Sequence, residues 1–201
     1  MVSLADSIVA FFFRRKLRGA ITVHRLLLRG RRIAVRSKHG IVWRLDPFEY
    51  VDSFVLRHGF YEEEVLETAL SSLRSGEVFW DIGSNLGLHA LTVKHRRPDI
   101  TVFAFEPNPS LAHLVQEVAR QNDLDINQCE IALDAVAGQQ KFFIHEGNAG
   151  RCGLHNWNSD PDLKYIEVVT DTADNLLANK RGLRPNVIKM DVEGNEQRVL
   201  D

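Results

Sequence analysis

Between Val78 and Gly87 the chain reads Val-Phe-Trp-Asp-Ile-Gly-Ser-Asn-Leu-Gly, an apolar run that breaks into a Gly/Ser/Asn turn. Leu86-Gly87-Leu88-His89-Ala90-Leu91-Thr92-Val93 then resumes apolar at helical spacing, so the stretch predicts a strand, a tight loop and a helix. Gly83 removes the Cβ where the chain turns sharply, and Gly87 lets the first helical turn approach a ligand or the strand. The unpaired N–H groups of that helix start face whatever sits above the sheet. An ordinary strand-to-helix turn has the same composition, and the loop by itself leaves both readings open.

A second apolar strand, Thr101-Val102-Phe103-Ala104-Phe105, ends in Glu106, about twenty residues past the glycine loop. In a βαβ unit an acid there sits beside the loop and accepts hydrogen bonds from both hydroxyls of a ribose. The loop is G-x-x-x-G, without the third glycine that brings a pyrophosphate close. The expected guest is therefore an adenosine without phosphates rather than a dinucleotide.

Three segments in order, Asp81-Ile82-Gly83-Ser84-Asn85-Leu86-Gly87, Phe105-Glu106-Pro107-Asn108-Pro109 and Ile188-Lys189-Met190-Asp191-Val192-Glu193-Gly194-Asn195-Glu196, resemble the successive signatures of FkbM-type S-adenosylmethionine-dependent methyltransferases. The resemblance runs from about Phe60 to the end of the chain. It implies an α/β fold, a Rossmann-like class I methyltransferase sheet with helices on both faces. S-adenosylmethionine is the implied cofactor, held by Asp81, Gly83, Ser84, Asn85, Gly87, Glu106, Pro107 and Asn108, with Ile131 and Ala132 against the adenine ring. The implied reaction is O-methylation of a hydroxyl on a sugar, glycan or secondary metabolite. The family continues past Val199-Leu200-Asp201 with further strands, so by resemblance the sheet is expected to be incomplete on its C-terminal side, with an exposed edge that an oligomer partner or a missing C-terminal segment would complete. The alternative expectation is a catalytically incompetent fragment that associates with a membrane or a partner.

With 201 residues, 44% of them hydrophobic, the chain can bury one good core. The expected division is a leader over residues 1–59, a helical segment plus a β-hairpin, and a cofactor-binding domain over 60–201. Charge divides the chain unevenly. Before Asp46 the only acid is Asp6, against eleven Lys and Arg, which leaves 26 of the 27 acids but 14 of the 25 bases to the remainder. Such a leader suits an anionic membrane surface, a nucleic acid or the acidic body itself, and no nucleic-acid partner is expected. Ile8-Val9-Ala10-Phe11-Phe12-Phe13 is far shorter than the roughly 20 residues of a membrane span. Arg14-Arg15-Lys16 follow the apolar run instead of preceding it, unlike a secretory signal, and a cytoplasmic protein is expected. A helix lying on a membrane and a helix packed on the enzyme body both remain open. Cys129 and Cys152 form no C-x-x-C pair and the eight histidines no H-x-x-x-H pair, so neither a disulfide framework nor a metal is expected.

In chain order, Ser3 to Leu28 reads as helix interrupted at Gly19. Arg32–Arg36 and Ile41–Leu45 alternate around a Gly turn as a hairpin. Tyr61–Leu73 reads as an amphipathic helix, and Ser110 is the expected cap of the helix after Glu106. Glu130–Leu133 is expected as the third strand and Lys141–Ile144 as another. Asp134 either reaches the exocyclic amine of the adenine or is a solvated turn residue. The aperiodic Gly/Asn/Asp/Trp stretch from His145 to Leu163 is a substrate-facing loop or surface disorder. Tyr165–Val169, a short helix from Thr172, and the strand Asn186–Asp191 follow.

Methyl transfer needs a positioned oxygen nucleophile, exclusion of water and removal of the hydroxyl proton. Asp191 or Glu193 is the expected base or acceptor-orienting group, with Lys189 organising the carboxylates of Asp81, Glu106 and Asp191 around one crevice. Glu196 is either catalytic or a helix cap.

Overall fold

The computed structural model describes residues 2–145, 147–148, 151–156, 163–179 and 184–201. It divides into two compact units, residues 1–63 with 146–148, and residues 64–145 with 149–201.

In the first unit, α1 (Leu4–Arg14) and α2 (Ala20–Leu28) precede the antiparallel hairpin of β1 (Ile33–Arg36) and β2 (Val42–Leu45), followed by α3 (Tyr50–His58). Ser3 and Asp6 close a capping box at the start of α1, each side chain bonding the other's backbone N–H. The second carboxylate oxygen of Asp6 accepts the Ala34 N–H at 3.0 Å, which ties α1 to β1. Gly19, at φ +83°, separates the two helices as expected. Helix α3 was not expected from the sequence. Its buried positions Val51, Val55 and Leu56 do lie at helical spacing, but β-branched and aromatic residues around them blur the period. Asp52 is buried in this unit between Arg32 at 2.7 Å and the Asp46 N–H at 2.6 Å. Burial pushes its carboxyl up to about 6 despite those partners.

After α4 (Glu63–Ser72), the second unit is built on β3 (Val78–Ile82), α5 (Leu88–Arg96), β4 (Thr101–Phe105), α6 (Pro109–Gln121) and β5 (Asn127–Cys129). Then come β6 (Ala132–Leu133), β7 (Gly138–Phe143), β8 (Tyr165–Asp171), α7 (Ala173–Ala178), β9 (Val187–Met190) and α8 (Glu196–Leu200). Four parallel strands order as β5-β4-β3-β9, so strand order reverses at β3. Every residue of β3 is buried, and its alternation sorts the layers. Val78, Trp80 and Ile82 face a cluster with Phe103, Phe105, Leu176 of α7 and Val199 of α8. Asp81, one residue out of phase, accepts the Ala90 N–H of α5 on the opposite face. Helices therefore cover both faces, which is the Rossmann-like arrangement. Burying each large apolar side chain of this layer contributes about 1.5–3 kcal/mol.

The expected third strand is corrected: the residues that extend the parallel ladder are Asn127-Gln128-Cys129, whose edge position leaves them half-exposed and polar. The apolar Ala132-Leu133 instead pairs with β8, which also pairs antiparallel with β7 in a separate three-stranded sheet. On the other side, β9 is the outer strand of the parallel sheet among the described residues.

Candidate active site

Three strand ends lie level. Ile82 pairs with Phe105 on one side and Met190 on the other, so Gly83, Glu106 and Asp191 leave the sheet together. Ligands of open α/β sheets bind beyond such carboxyl ends, where the strand order reverses. The loop after β3 is sewn to both neighbours. Gly83 and Ser84 donate their N–H groups to the Phe105 carbonyl at 3.0 and 2.9 Å, and Asp191 N–H donates to Ile82 at 3.0 Å.

Gly83 cannot be replaced cheaply. At φ +73°, a Cβ there would lie 1.9 Å from the Asp191 carbonyl oxygen. Gly87, at φ +72°, departs from expectation: a Cβ would meet the Val115 methyl carbons of α6 at 3.0 and 3.2 Å, so the close approach it permits is to a helix.

Glu106 is 4% exposed and accepts two backbone hydrogen bonds, from Asn85 at 2.8 Å and Asn108 at 2.9 Å. The glycine loop and the acid after β4 are thus in direct contact. Burial pushes the Glu106 carboxyl up to about 7; the two N–H groups and Lys189 oppose that rise, and Asp81 adds to it. Beside it, Ser84 Oγ and Asn85 Oδ1 are buried and make no hydrogen bond among the described residues. Asn85 itself sits at φ +51°, a costly conformation for a side-chain-bearing residue. Buried polar atoms are nearly always satisfied, so two orphans on one loop beside a buried carboxylate leave hydrogen-bonding capacity unused there. These groups match the chemistry of the ribose end of S-adenosylmethionine, whose hydroxyls can donate to a carboxylate or an amide oxygen and accept from a serine hydroxyl.

The other expected residues divide. Asp81 is wholly buried beneath the loop, with Oδ2 on the Ala90 N–H at 3.0 Å and Oδ1 3.4 Å from Lys189 Nζ. Lys189 Nζ also donates to the Gly83 carbonyl at 3.1 Å and lies 4.0 Å from Asp191, so it does lie between carboxylates. Asp191 is half-exposed, at 49% of its side chain. Glu193 adopts φ +53°, and its carboxyl is raised by burial first and then by Asp191 and Glu196. A Cβ on Gly153 would lie 3.4 Å from Glu193 Cβ, so this part of the expected substrate-facing loop reaches the site. Phe143 pairs with Gly153, while residues 146, 149–150 and 157–162 of that loop lie outside the described residues.

Glu196 accepts the Val192 and Gly194 N–H groups at 3.0 and 3.3 Å, which is the capping role. Asn108, not Ser110, caps α6: its Oδ1 accepts the Ser110 N–H at 3.0 Å, with Pro109 at the first helical turn. Pro107 is buried behind it. Ile131 packs against the core of the parallel sheet, and Ala132 is buried with Phe142, Cys152 and Val168 in the second sheet.

Asp134 is neither solvated nor open to a ligand. It is 1% exposed and receives a two-pronged hydrogen bond from Arg198 at 2.7 and 2.9 Å, one from Asn195 at 3.2 Å and one from Gln140. Burial works against its ionisation, yet those donors hold its carboxyl well below the usual range. The Asp134–Arg198 pair spans 64 positions, and no local pattern announces it. Among the described residues no group of three His, Cys, Asp or Glu is placed to hold a metal ion.

The model of the methyltransferase FkbM domain matches residues 81–201, more than half of the chain. This chain belongs to the FkbM methyltransferase family. The hexuronic acid methyltransferase AglP of Haloferax volcanii is 29% identical over 139 residues, 69% of this chain and 55% of the relative. The 31-O-demethyl-FK506 methyltransferase FkbM of Streptomyces tacrolimicus is 26% identical over 178 residues, 75% of this chain and 64% of the relative. The chain therefore spans between about half and two thirds of the length of these relatives. Among solved structures, M. jannaschii TYW2 in complex with AdoMet is similar at a TM-score of 0.37 and 14% identity, over 51% of this chain and 50% of that one.

Proposed function

We propose that this chain binds S-adenosylmethionine at the tips of β3, β4 and β9 and serves O-methylation of a hydroxyl on a sugar, glycan or secondary metabolite. The observation that carries the reading is the buried Glu106 carboxylate, joined to the glycine loop through Asn85, with Ser84 Oγ and Asn85 Oδ1 unpartnered beside it. Family membership and the two relatives, one named for hexuronic acid and one for 31-O-demethyl-FK506, support the acceptor class.

Bound here, S-adenosylmethionine supplies an electrophilic methyl group on a sulfonium. Glu106 accepts from the ribose hydroxyls, and Ser84 and Asn85 offer the remaining polar contacts. Lys189 holds the Gly83 carbonyl and spans Asp81 and Asp191, which fixes the floor of the crevice. Asp191 orients the acceptor hydroxyl and Glu193 takes its proton, a role suited by a carboxyl that burial makes more basic.

Calorimetry with S-adenosylmethionine and S-adenosylhomocysteine tests the cofactor half: saturable heat is expected, and its absence for both compounds defeats the reading. Transfer of an isotopically labelled methyl group to a hexuronic acid glycoside, lost in Glu193→Gln with cofactor affinity retained, tests the acceptor half.

A further inference from the structure

Helix α1 is apolar on two opposite faces. Val9, Ala10 and Phe13 are buried within the first unit, where α1 packs on α2, α3 and β1. Leu4, Ile8 and Phe11 recur at i, i+4 and i+7 on the far side, and they are 78%, 38% and 53% exposed. A helix on a water-facing surface carries charged and polar residues on that stripe. Here the stripe ends on Arg15, whose guanidinium carbon lies 5.8 Å from the centroid of the Phe11 ring. Leu17 after α1, and Ile21 and Leu26 on α2, are exposed apolar residues of the same segment.

The α1–α2 segment that carries the stripe is rich in exposed cations and poor in acids. Arg15, Lys16, Arg18, Arg25 and Arg29 are all exposed. The one acid before Asp46 is Asp6, which is buried and bonded to the Ser3 and Ala34 N–H groups. A partner must therefore offer negative charge and an apolar interior within a few ångströms of each other. The headgroup and acyl boundary of an anionic bilayer offers both, and it accommodates short helices lying in its plane. Among the described residues no helix is long and apolar enough to cross a membrane.

We propose that the α1–α2 segment is a docking surface for an anionic lipid bilayer, with Leu4, Ile8 and Phe11 inserted at the acyl boundary and the Arg15–Arg18 turn at the headgroups. The inference is independent of the cofactor site. Its test is sedimentation of the full chain with phosphatidylcholine vesicles, with and without phosphatidylglycerol. The chain pellets with the anionic vesicles only and is released by high salt. Leu4→Ser/Ile8→Ser/Phe11→Ser abolishes pelleting, and Arg15→Glu/Arg18→Glu lowers the vesicle affinity at least about tenfold. These side chains are exposed, so circular dichroism should be unchanged; if the triple variant does not fold, the charge reversal alone decides. No pelleting, or pelleting that ignores both sets of substitutions or the lipid charge, overturns the proposal. A concentration-dependent dimer that the triple variant abolishes, without vesicle binding, reassigns the stripe to a second copy and overturns it as well.

Discussion

Glu106 and Asp134 are both buried acids just beyond the end of a strand, 4% and 1% exposed, yet they are held in opposite ways. Asp134 is surrounded by side-chain donors, among them a guanidinium and an amide, and its charge is fully answered. Glu106 has only two backbone N–H groups, its carboxyl is pushed up to about 7, and two neighbouring polar atoms have no partner. A saturated buried charge is a structural clamp; an under-satisfied one, beside orphaned polar atoms at a strand-order reversal, has the hydrogen-bonding capacity that the proposed cofactor site needs. Burial alone does not separate the two, whereas the origin of the hydrogen bonds does.

The largest expected effect tests whether the Glu106 side depends on level strand ends. Gly83→Ala forces a Cβ onto the Asp191 carbonyl at a left-handed φ, and a loss of about 4 kcal/mol in urea unfolding is expected. A loss below 1 kcal/mol would show that the three tips are not tightly joined. Gly87→Ala is milder, about 1–2 kcal/mol, because the Val115 methyls can shift.

Next, Glu106→Ala should weaken S-adenosylhomocysteine binding about 100-fold in calorimetry, the equivalent of two hydrogen bonds to a charged group. Its unfolding free energy at pH 8 should change little, because removing a carboxylate that burial disfavours offsets the Asn85 and Asn108 N–H groups left without an acceptor. Asp134→Ala should do the reverse. Stability drops by about 2 kcal/mol, since Asn195 is left with an unpaired buried donor and the half-exposed Arg198 relaxes into solvent, while cofactor affinity stays within twofold of the parent's. If both variants lose stability alike, the distinction between site and clamp fails.

The pH dependence of stability sharpens the contrast, with opposite signs. Glu106 has a folded-state carboxyl raised from 4.5 to about 7, so its contribution is complete below about pH 4.5 and is lost as pH rises through 7. Asp134 is lowered from 3.8, so its contribution is present above that value and is lost as pH falls. Urea titrations across pH should show both limbs, with Asp134→Asn flattening the acidic one. Asp52 in the first unit is raised to about 6, and Glu193 is raised as well, so both add to this limb and Asp52→Asn with Glu193→Gln is the control that isolates Glu106. The smallest effect is Ser84→Ala: its hydroxyl already lacks a partner, so stability should move by no more than about 0.5 kcal/mol while cofactor binding weakens several-fold.

Much of the second unit was legible because its elements obey local rules. The β3 strand, the glycine turn, α5 and the acid after β4 each follow from hydrophobic period and from residues that punctuate it. The edge strand β5 was missed for a physical reason: at a sheet edge half the residues face solvent, so Asn127-Gln128-Cys129 carries no apolar signal. The neighbouring Ala132-Leu133 looked like the strand because it is buried, although in a different sheet. The cap of α6 was misplaced by two residues because Asn, Pro and Ser crowd one turn and each favours a helix start.

What the chain by itself determined is the β3–loop–α5–β4 core of the second unit, the family motifs and the position of one acid beside one glycine loop, since these depend on residues close in sequence. Tertiary structure alone decided the roles of equivalent side chains. Asp81 went beneath the loop, Gly87 against Val115, and Asp134 into the grip of Arg198 from 64 positions away. The reason is that a carboxylate's chemistry is set by which donors reach it and how much water remains, and both depend on contacts that sequence separation hides.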